Sequence, residues 1–283
     1  MNRLLYQKLV ARALEEDLGR GGDLTTDLVF PADHMSSAVF RSRETGVLAG
    51  LEPAIEAFRQ LSDNVAVDSS LSDGAKLLPG TVIARVTGPT RALLTGERTA
   101  LNFLGHLSGV ATKTHRLVEA VTGTGAFIID TRKTLPGLRA LQKYAVTVGG
   151  GRNYRLGLDD AVLLKDNHIA ACGSLTEAVR RVRAGLVHMV KIEVEVDTLI
   201  QFEEALSLEP EMILLDNFSA PELRVAVAAR NAGTPTQRRI LLETSGRVTE
   251  ATVRELAETG VDLISVGALT HSVSVLDIGL DYL

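Results

Sequence analysis

Between Asp130 and Lys165 the chain reads DTRKTLPGLRALQKYAVTVGGGRNYRLGLDDAVLLK, which sets Arg132, Lys133, Arg139, Lys143, Arg152, Arg155 and Lys165 against Asp130, Asp159 and Asp160. The whole chain carries a formal charge of -5, so this stretch is a local exception. Cations gathered in an acidic protein suit a small anionic ligand. Nucleic acid would call for an extended basic stripe with interleaved aromatics, and only 4% of the residues are aromatic. Arg139 and Lys143, four apart in LRALQKY, read equally well as solvated charges on a helix.

A second chemical feature is KIEVEV, whose period-two alternation puts Lys191, Glu193 and Glu195 on one face and Ile192, Val194 and Val196 on the other. A strand with one charged face inside a fold must give those charges partners or a ligand. An internal salt-bridge layer among Lys165, Lys191 and the glutamates is the plain alternative. Small residues near the C-terminus, Ser245-Gly246 and Gly267-Ala268, are candidates for a phosphate cradle, because backbone N–H groups can approach an anion closely there.

These residues need elements to hold them. Six apolar, β-branched runs occur at AFIID, AVLLKDN, MVKIEVEV, MILLDN, RILLETSG and LISVGAL, and all but the last are followed by a helical segment. Strand then helix, repeated, predicts parallel strands with right-handed crossovers, in number sufficient to close a barrel. A doubly wound sheet is the alternative, but no GxGxxG turn follows AFIID. The polar residues fall at the ends of these runs: Thr131, Arg132 and Lys133; Lys165 to His168; Glu193 and Glu195; Asp216 and Asn217; Glu243 to Ser245; Gly267. In a βα barrel those ends converge on one mouth, which makes it the candidate active site.

The chain divides near residue 110. Residues 3–18 read as an amphipathic helix with Leu4, Leu5, Leu9, Leu14 and Leu18 at core spacing, and GGDLTTD reads as a turn. The runs SAVFRSRETGVLAG and TVIARVTG around PAIEAFRQL predict a small α+β domain. A long helix from Thr90 contains Gly96, Gly105 and Gly109, which predict close backbone packing. Arg98 within it reads alone as a snorkelling arginine. With 283 residues and 45% hydrophobic content the chain can bury a large core. It has no apolar run of the roughly 18 residues a membrane span needs. The single cysteine, Cys172, excludes an internal disulfide and fits a reducing cytoplasm.

Taken together, ERTALNFLGHLSG, DTRKTLPGLRALQKYAV with GGG, RLGLDDAVLLKDNHI, EVEVD, LLDNF and VGALTHS, with EDLGRGGDLTTD upstream, resemble the quinolinate phosphoribosyltransferase family nearly end to end. The resemblance implies an incomplete parallel α/β barrel (111–270) with a smaller N-terminal α+β sandwich domain (1–110) and a C-terminal segment (271–283) packing back on that domain. It implies phosphoribosyl transfer from PRPP to quinolinate with decarboxylation, aided by Mg²⁺, in a cytoplasmic homodimer without nucleic-acid or membrane partners. Arg98, reaching a neighbouring subunit's site, would join Arg132, Arg155 and Lys165 around the quinolinate carboxylates, with Thr131 and Tyr154 as further substrate-binding residues. Lys133 and Lys165 would lie near the pyrophosphate, and Glu195 and Asp216 at the ribose hydroxyls or the hydrated metal. Ser245, Gly246, Gly267 and His271 would take the 5-phosphate, with a new helix beginning near His271. Lys133, Lys165, Glu195 and Asp216 are the catalytic candidates. One position departs from the family pattern: Tyr154 stands where a histidine is usual, and it can donate a hydrogen bond but is not cationic near neutral pH. Two other enzyme readings stay open on the residues, a barrel lyase with Lys165 or Lys191 as Schiff-base nucleophile and a molybdate-operon-type relative with another acceptor.

Overall fold

A computed structural model describes residues 1–233 and 239–283, and the chain forms two compact units. Unit 1 comprises Met1–His115, Thr134–Gly150 and Leu269–Leu283; unit 2 comprises Arg116–Lys133 and Gly151–Ala268.

Unit 1 opens with α1 (Gln7–Leu18). Its core stripe is Tyr6, Val10 and Leu14, whereas Leu4 and Leu5 are exposed. The expected phase is off because Asn2 caps a separate 3-10 turn, Arg3–Leu5, by accepting from the Leu4 N–H, and the α-helix begins only afterwards. GGDLTTD likewise ends in a helix rather than a turn: Asp23 accepts from the Thr26 N–H at 3.0 Å and caps α2 (Leu24–Val29). Strands β1 (Met35–Ser42), β2 (Gly46–Val47), β3 (Ala66–Asp68), β4 (Lys76–Leu77) and β5 (Val82–Pro89) follow, with α3 (Leu51–Arg59) between β2 and β3. β1 pairs antiparallel with β5, and β5 with β3.

The long helix α4 spans Thr90–Ala120. A Cβ added at Gly109 would lie 2.1 Å from the Ser274 carbonyl oxygen, so the close backbone approach expected of these glycines is real there and involves the C-terminal segment, whereas at Gly96 the near neighbour is the Phe58 side chain at 2.8 Å. α5 (Arg139–Val148) belongs to unit 1, although the sequence reading put it in the 111–270 span. Its Gln142 is fully buried. The Gln142 amide accepts from the Leu135 N–H at 2.9 Å, donates to the Thr270 carbonyl at 2.6 Å and meets His106 Nε2 at 2.9 Å. Lys143, read as a possible solvated charge, is instead 1% exposed, one of the consecutive buried residues Leu141, Gln142 and Lys143 of this helix.

Unit 2 contains β6 (Phe127–Ile129), β7 (Val162–Leu164), β8 (Ile192–Val196), β9 (Met212–Asp216), β10 (Leu241–Ser245) and β11 (Leu263–Ser265). Helices α6 (Asp166–Cys172), α7 (Leu175–Gly185), α8 (Leu199–Ser207), α9 (Ala220–Ala232) and α10 (Val253–Ala257) connect β7 through β11. The sheet is parallel, in the order β6-β11-β10-β9-β8-β7. The first strand therefore pairs with the last and every other step joins neighbours in sequence, which is barrel order; a doubly wound sheet grows both ways from its first strand. β6 and β7 do not pair, and Ile129 bridges instead to Arg152. Unit 2 is an incomplete parallel α/β barrel.

The chain then passes through α11 (Ala268–His271), so His271 ends a helix rather than opening one. It finishes in β12 (Ile278–Tyr282), antiparallel to β1 at the edge of the unit 1 sheet.

Candidate active site

Parallel register brings the C-terminal ends of the unit 2 strands to one edge, with Ser245 opposite Asp216. Across β7 and β8, the Lys165 ammonium donates to Glu195 Oε2 at 2.5 Å. Lys165 remains 45% exposed, so the pair sits at the mouth and not in the core. Asp216 accepts from the Ser245 hydroxyl and, at 2.8 Å, from the Asn217 amide. Gly246 takes a φ of +105°, and a Cβ there would lie 2.2 Å from Asn217 Oδ1, so these two turns interlock only with glycine at 246. After β6, Thr131 Oγ1 accepts from the Lys133 N–H at 3.0 Å, shaping the turn that carries Arg132 and the exposed Lys133.

The segment closing the gap between β6 and β7 carries Tyr154 and Arg155. Asp130, fully buried, accepts from the Tyr154 N–H at 2.8 Å. The Tyr154 hydroxyl donates to Glu193 Oε2 at 2.5 Å, so it serves a protein carboxylate in this structure. Arg155 donates through Nη1 to the Ala161 carbonyl at 2.7 Å, and its guanidinium lies 5.9 Å from the Tyr154 ring centre. The Nε atoms of Arg132 and Arg155 are buried with no hydrogen-bond partner. A cavity of about 430 Å³ is lined by Tyr154, Arg155, Lys191 and Glu193 with Met212 and Leu241.

Burial raises the pKa of Glu193 above the usual carboxylate range, against the pull of the Tyr154 and Glu243 hydrogen bonds and Arg155. Burial pushes Glu243 well above that range, and the charge of Glu193 adds to the effect. The Tyr154 hydroxyl is raised by burial and then by Glu193, so it stays a donor.

Of the salt-bridge layer considered from KIEVEV, only Lys165–Glu195 forms among the described residues; Glu193 meets a tyrosine, and Lys191 is exposed. Thr131, Arg132, Lys133, Tyr154, Arg155, Lys165, Glu195, Asp216, Ser245, Gly246 and Gly267 all belong to unit 2. Arg98 and His271 belong to unit 1, where Arg98 is exposed and lines a cleft of about 560 Å³ with Arg12, Glu16, Asp17 and His106. Sequence reasoning noted Glu243 only as a polar strand end. Its signal was an acid in the middle of the apolar run ILLETS.

A parallel barrel whose mouth is ringed by lysine, arginine, carboxylate and hydroxyl groups defines an α/β-barrel enzyme suited to polyanionic substrates. Residues 110–281 match the profile of the quinolinate phosphoribosyl transferase C-terminal domain, and residues 23–108 that of its N-terminal domain. The nicotinate-nucleotide pyrophosphorylase [carboxylating] of Mycobacterium leprae is 50% identical over 274 residues, covering 96% of this chain and 95% of that protein. A probable enzyme of the same name in Bacillus subtilis is 42% identical over 281 residues, covering 99% and 94%. The solved nicotinate-nucleotide pyrophosphorylase of Francisella tularensis superposes with a TM-score of 0.93 at 36% identity, covering 100% of this chain and 98% of that one. The chain belongs to the quinolinate phosphoribosyl transferase family.

Proposed function

We propose that this chain transfers the phosphoribosyl group of PRPP to quinolinate and releases pyrophosphate and CO₂, giving nicotinate mononucleotide for NAD biosynthesis. The observation that carries the reading is the barrel mouth, where Lys165–Glu195 and Ser245–Asp216 stand on neighbouring strand ends of a family member. Quinolinate brings two carboxylates and PRPP a phosphate and a pyrophosphate, which accounts for so many cations in an acidic chain.

Arg132, Arg155 and Lys165 receive the quinolinate carboxylates, and the buried, unpartnered Nε atoms of both arginines support that role. Thr131 and Tyr154 line the same site. Lys133 and Lys165 face the pyrophosphate. The quinolinate nitrogen attacks the anomeric carbon as pyrophosphate leaves, and Glu195 and Asp216 stabilise the positive charge that builds on the ribose. Ser245, Gly246, Gly267 and His271 take the 5-phosphate. The ring nitrogen, now cationic, accepts the electron pair left by the departing carboxylate. Lys165 is engaged by Glu195, the opposite of the unpaired, desolvated amine that a Schiff-base nucleophile requires.

Glu195 and Asp216 also suit Mg²⁺, which takes one or two carboxylates beside substrate phosphates and keeps its waters. Among the described residues no group of three or more His, Cys, Asp or Glu could hold a metal ion. When bound, Mg²⁺ would neutralise charge on the leaving pyrophosphate. We read the assembly as a homodimer in which Arg98 serves the partner's site, and the compartment as the cytoplasm. Among the described residues no helix is long and apolar enough to cross a membrane.

The test is release of pyrophosphate and CO₂ from PRPP, Mg²⁺ and quinolinate, with nicotinate run beside it. Both products from quinolinate and neither from nicotinate are expected, with loss of turnover on adding EDTA. Silence with quinolinate from folded protein that binds PRPP would transfer the assignment to a relative with another acceptor.

A further inference from the structure

Gln142, on α5 of unit 1, is fully buried, and its amide meets three separate stretches of chain. Its Oε1 accepts from the Leu135 N–H at 2.9 Å, its Nε2 donates to the Thr270 carbonyl at 2.6 Å, and Nε2 also meets His106 Nε2 at 2.9 Å. The two backbone groups fix which way the amide points, because an N–H can only donate and a carbonyl can only accept. The second Nε2 hydrogen is then left for His106, so the imidazole Nε2 must accept and its proton sits on Nδ1. A protonated His106 would set hydrogen against hydrogen at this contact. Burial, which lowers the His106 pKa, favours the same neutral form. Both amide hydrogens and the amide oxygen are thus engaged.

The segments that this amide holds lead directly to groups of the reaction. Leu135 follows Lys133 by two residues, and Thr270, itself fully buried, immediately precedes His271. Thr131 Oγ1 braces the near end of the first segment through the Lys133 N–H at 3.0 Å, and Gln142 holds its far end. We propose that Gln142 is a positioning residue for PRPP: its amide fastens the backbone beyond Lys133 and beside His271, and the neutral His106 locks the amide in that orientation. An apolar side chain of the same length would fill the same space but give neither segment a direction. Gln142 acts through its neighbours and touches no substrate. The proposal rests on the reading that Lys133 and His271 receive the pyrophosphate and the 5-phosphate of PRPP.

NMR of the intact protein with isotope-labelled histidine reads the lock without reference to activity. At neutral pH the His106 signals, assigned by their loss in His106→Ala, are expected to show a protonated Nδ1 and a bare Nε2. The reverse tautomer, or an imidazolium, would overturn the proposal. Steady-state kinetics read the positioning. Gln142→Met, which keeps the length of the side chain and removes its amide, should raise the PRPP KM about tenfold and leave the quinolinate KM unchanged. His106→Ala should raise the PRPP KM about threefold, and His106→Gln should return it to within about twofold of the wild type, because the glutamine oxygen accepts where Nε2 did. His106 is only half-buried, so this second pair decides the matter even where Gln142→Met does not fold. Equal rises in both KM values, a fall in kcat alone, or no rescue by glutamine would leave the amide a structural contact and sink the proposal. Lys133→Ala and His271→Ala address the reading beneath it: an unchanged PRPP KM in both removes their assigned phosphate roles, while the NMR result stands on its own.

Discussion

Burial of Glu243 inside the barrel makes stability depend on pH in a definite direction. An unfolded glutamate titrates at about 4.3, whereas burial and Glu193 hold the folded Glu243 well above the usual carboxylate range. Between those two values the folded chain binds a proton that the unfolded chain has lost, so rising pH favours unfolding, by about 1.4 kcal/mol per pH unit for one group. Below about pH 4 both states are protonated and the effect is absent. Glu243→Gln removes the linkage. Urea unfolding from pH 5 to 8 should therefore show the wild type losing ground to the variant as pH rises, and parallel curves would mean that Glu243 titrates normally in the fold. The sequence could not announce this. KIEVEV placed Glu193 on an inward face, but Glu243, the other buried acid of the barrel, stands two strands away in the sheet and 50 positions along the chain. The departure at Tyr154 was legible as a residue type, while the direction of its hydroxyl was not, because that is set by the buried Glu193.

Elements were more legible than contacts. All six strands of the barrel lie within the β-branched runs, since a parallel strand covered on both faces is apolar nearly throughout. Short polar elements were harder. α2 was hidden in GGDLTTD, where Asp23 and the two threonines read as turn formers although Asp23 acts as a cap. In α5, Lys143 looked like a surface charge on local spacing alone, yet it is among the largest fully buried side chains described, so Lys143→Ala would cost stability. The glycines of α4 carried their message correctly. At Gly105 a Cβ would meet both the Val275 side chain at 2.7 Å and the Leu276 carbonyl oxygen at 2.9 Å, whereas at Gly109 it would lie 2.1 Å from the Ser274 carbonyl oxygen, so there backbone rather than pliable side chain stands in the way. Gly109→Ala should therefore destabilise the protein by about 1–3 kcal/mol, despite the better helix propensity of alanine. Chemical denaturation reads that directly, and a stabilised variant would show that the 273–276 segment does not hold this close approach.

At the scale of the whole molecule, strand order and site composition lead to one question about assembly. The order β6-β11-β10-β9-β8-β7 gathers eleven of the thirteen candidate site residues into unit 2, and leaves Arg98 and His271 in unit 1. Arg98 is exposed on α4, so its guanidinium is available to a second copy in a symmetric dimer. The proposed sharing makes a quantitative prediction. Arg98→Ala and Lys165→Ala subunits are each expected to be inactive alone. If Arg98 acts across the dimer, a heterodimer owns one complete site, formed by Lys165 of one subunit and Arg98 of the other, and one site lacking both groups. Random pairing of equal amounts makes about half the dimers mixed, so unfolding and refolding the two variants together should return about a quarter of wild-type turnover. If Arg98 serves its own subunit, every site in the mixture lacks one cation and nothing returns. Recovery that follows the fraction of mixed dimers, separated by differential tags, distinguishes a shared site from renaturation of either parent.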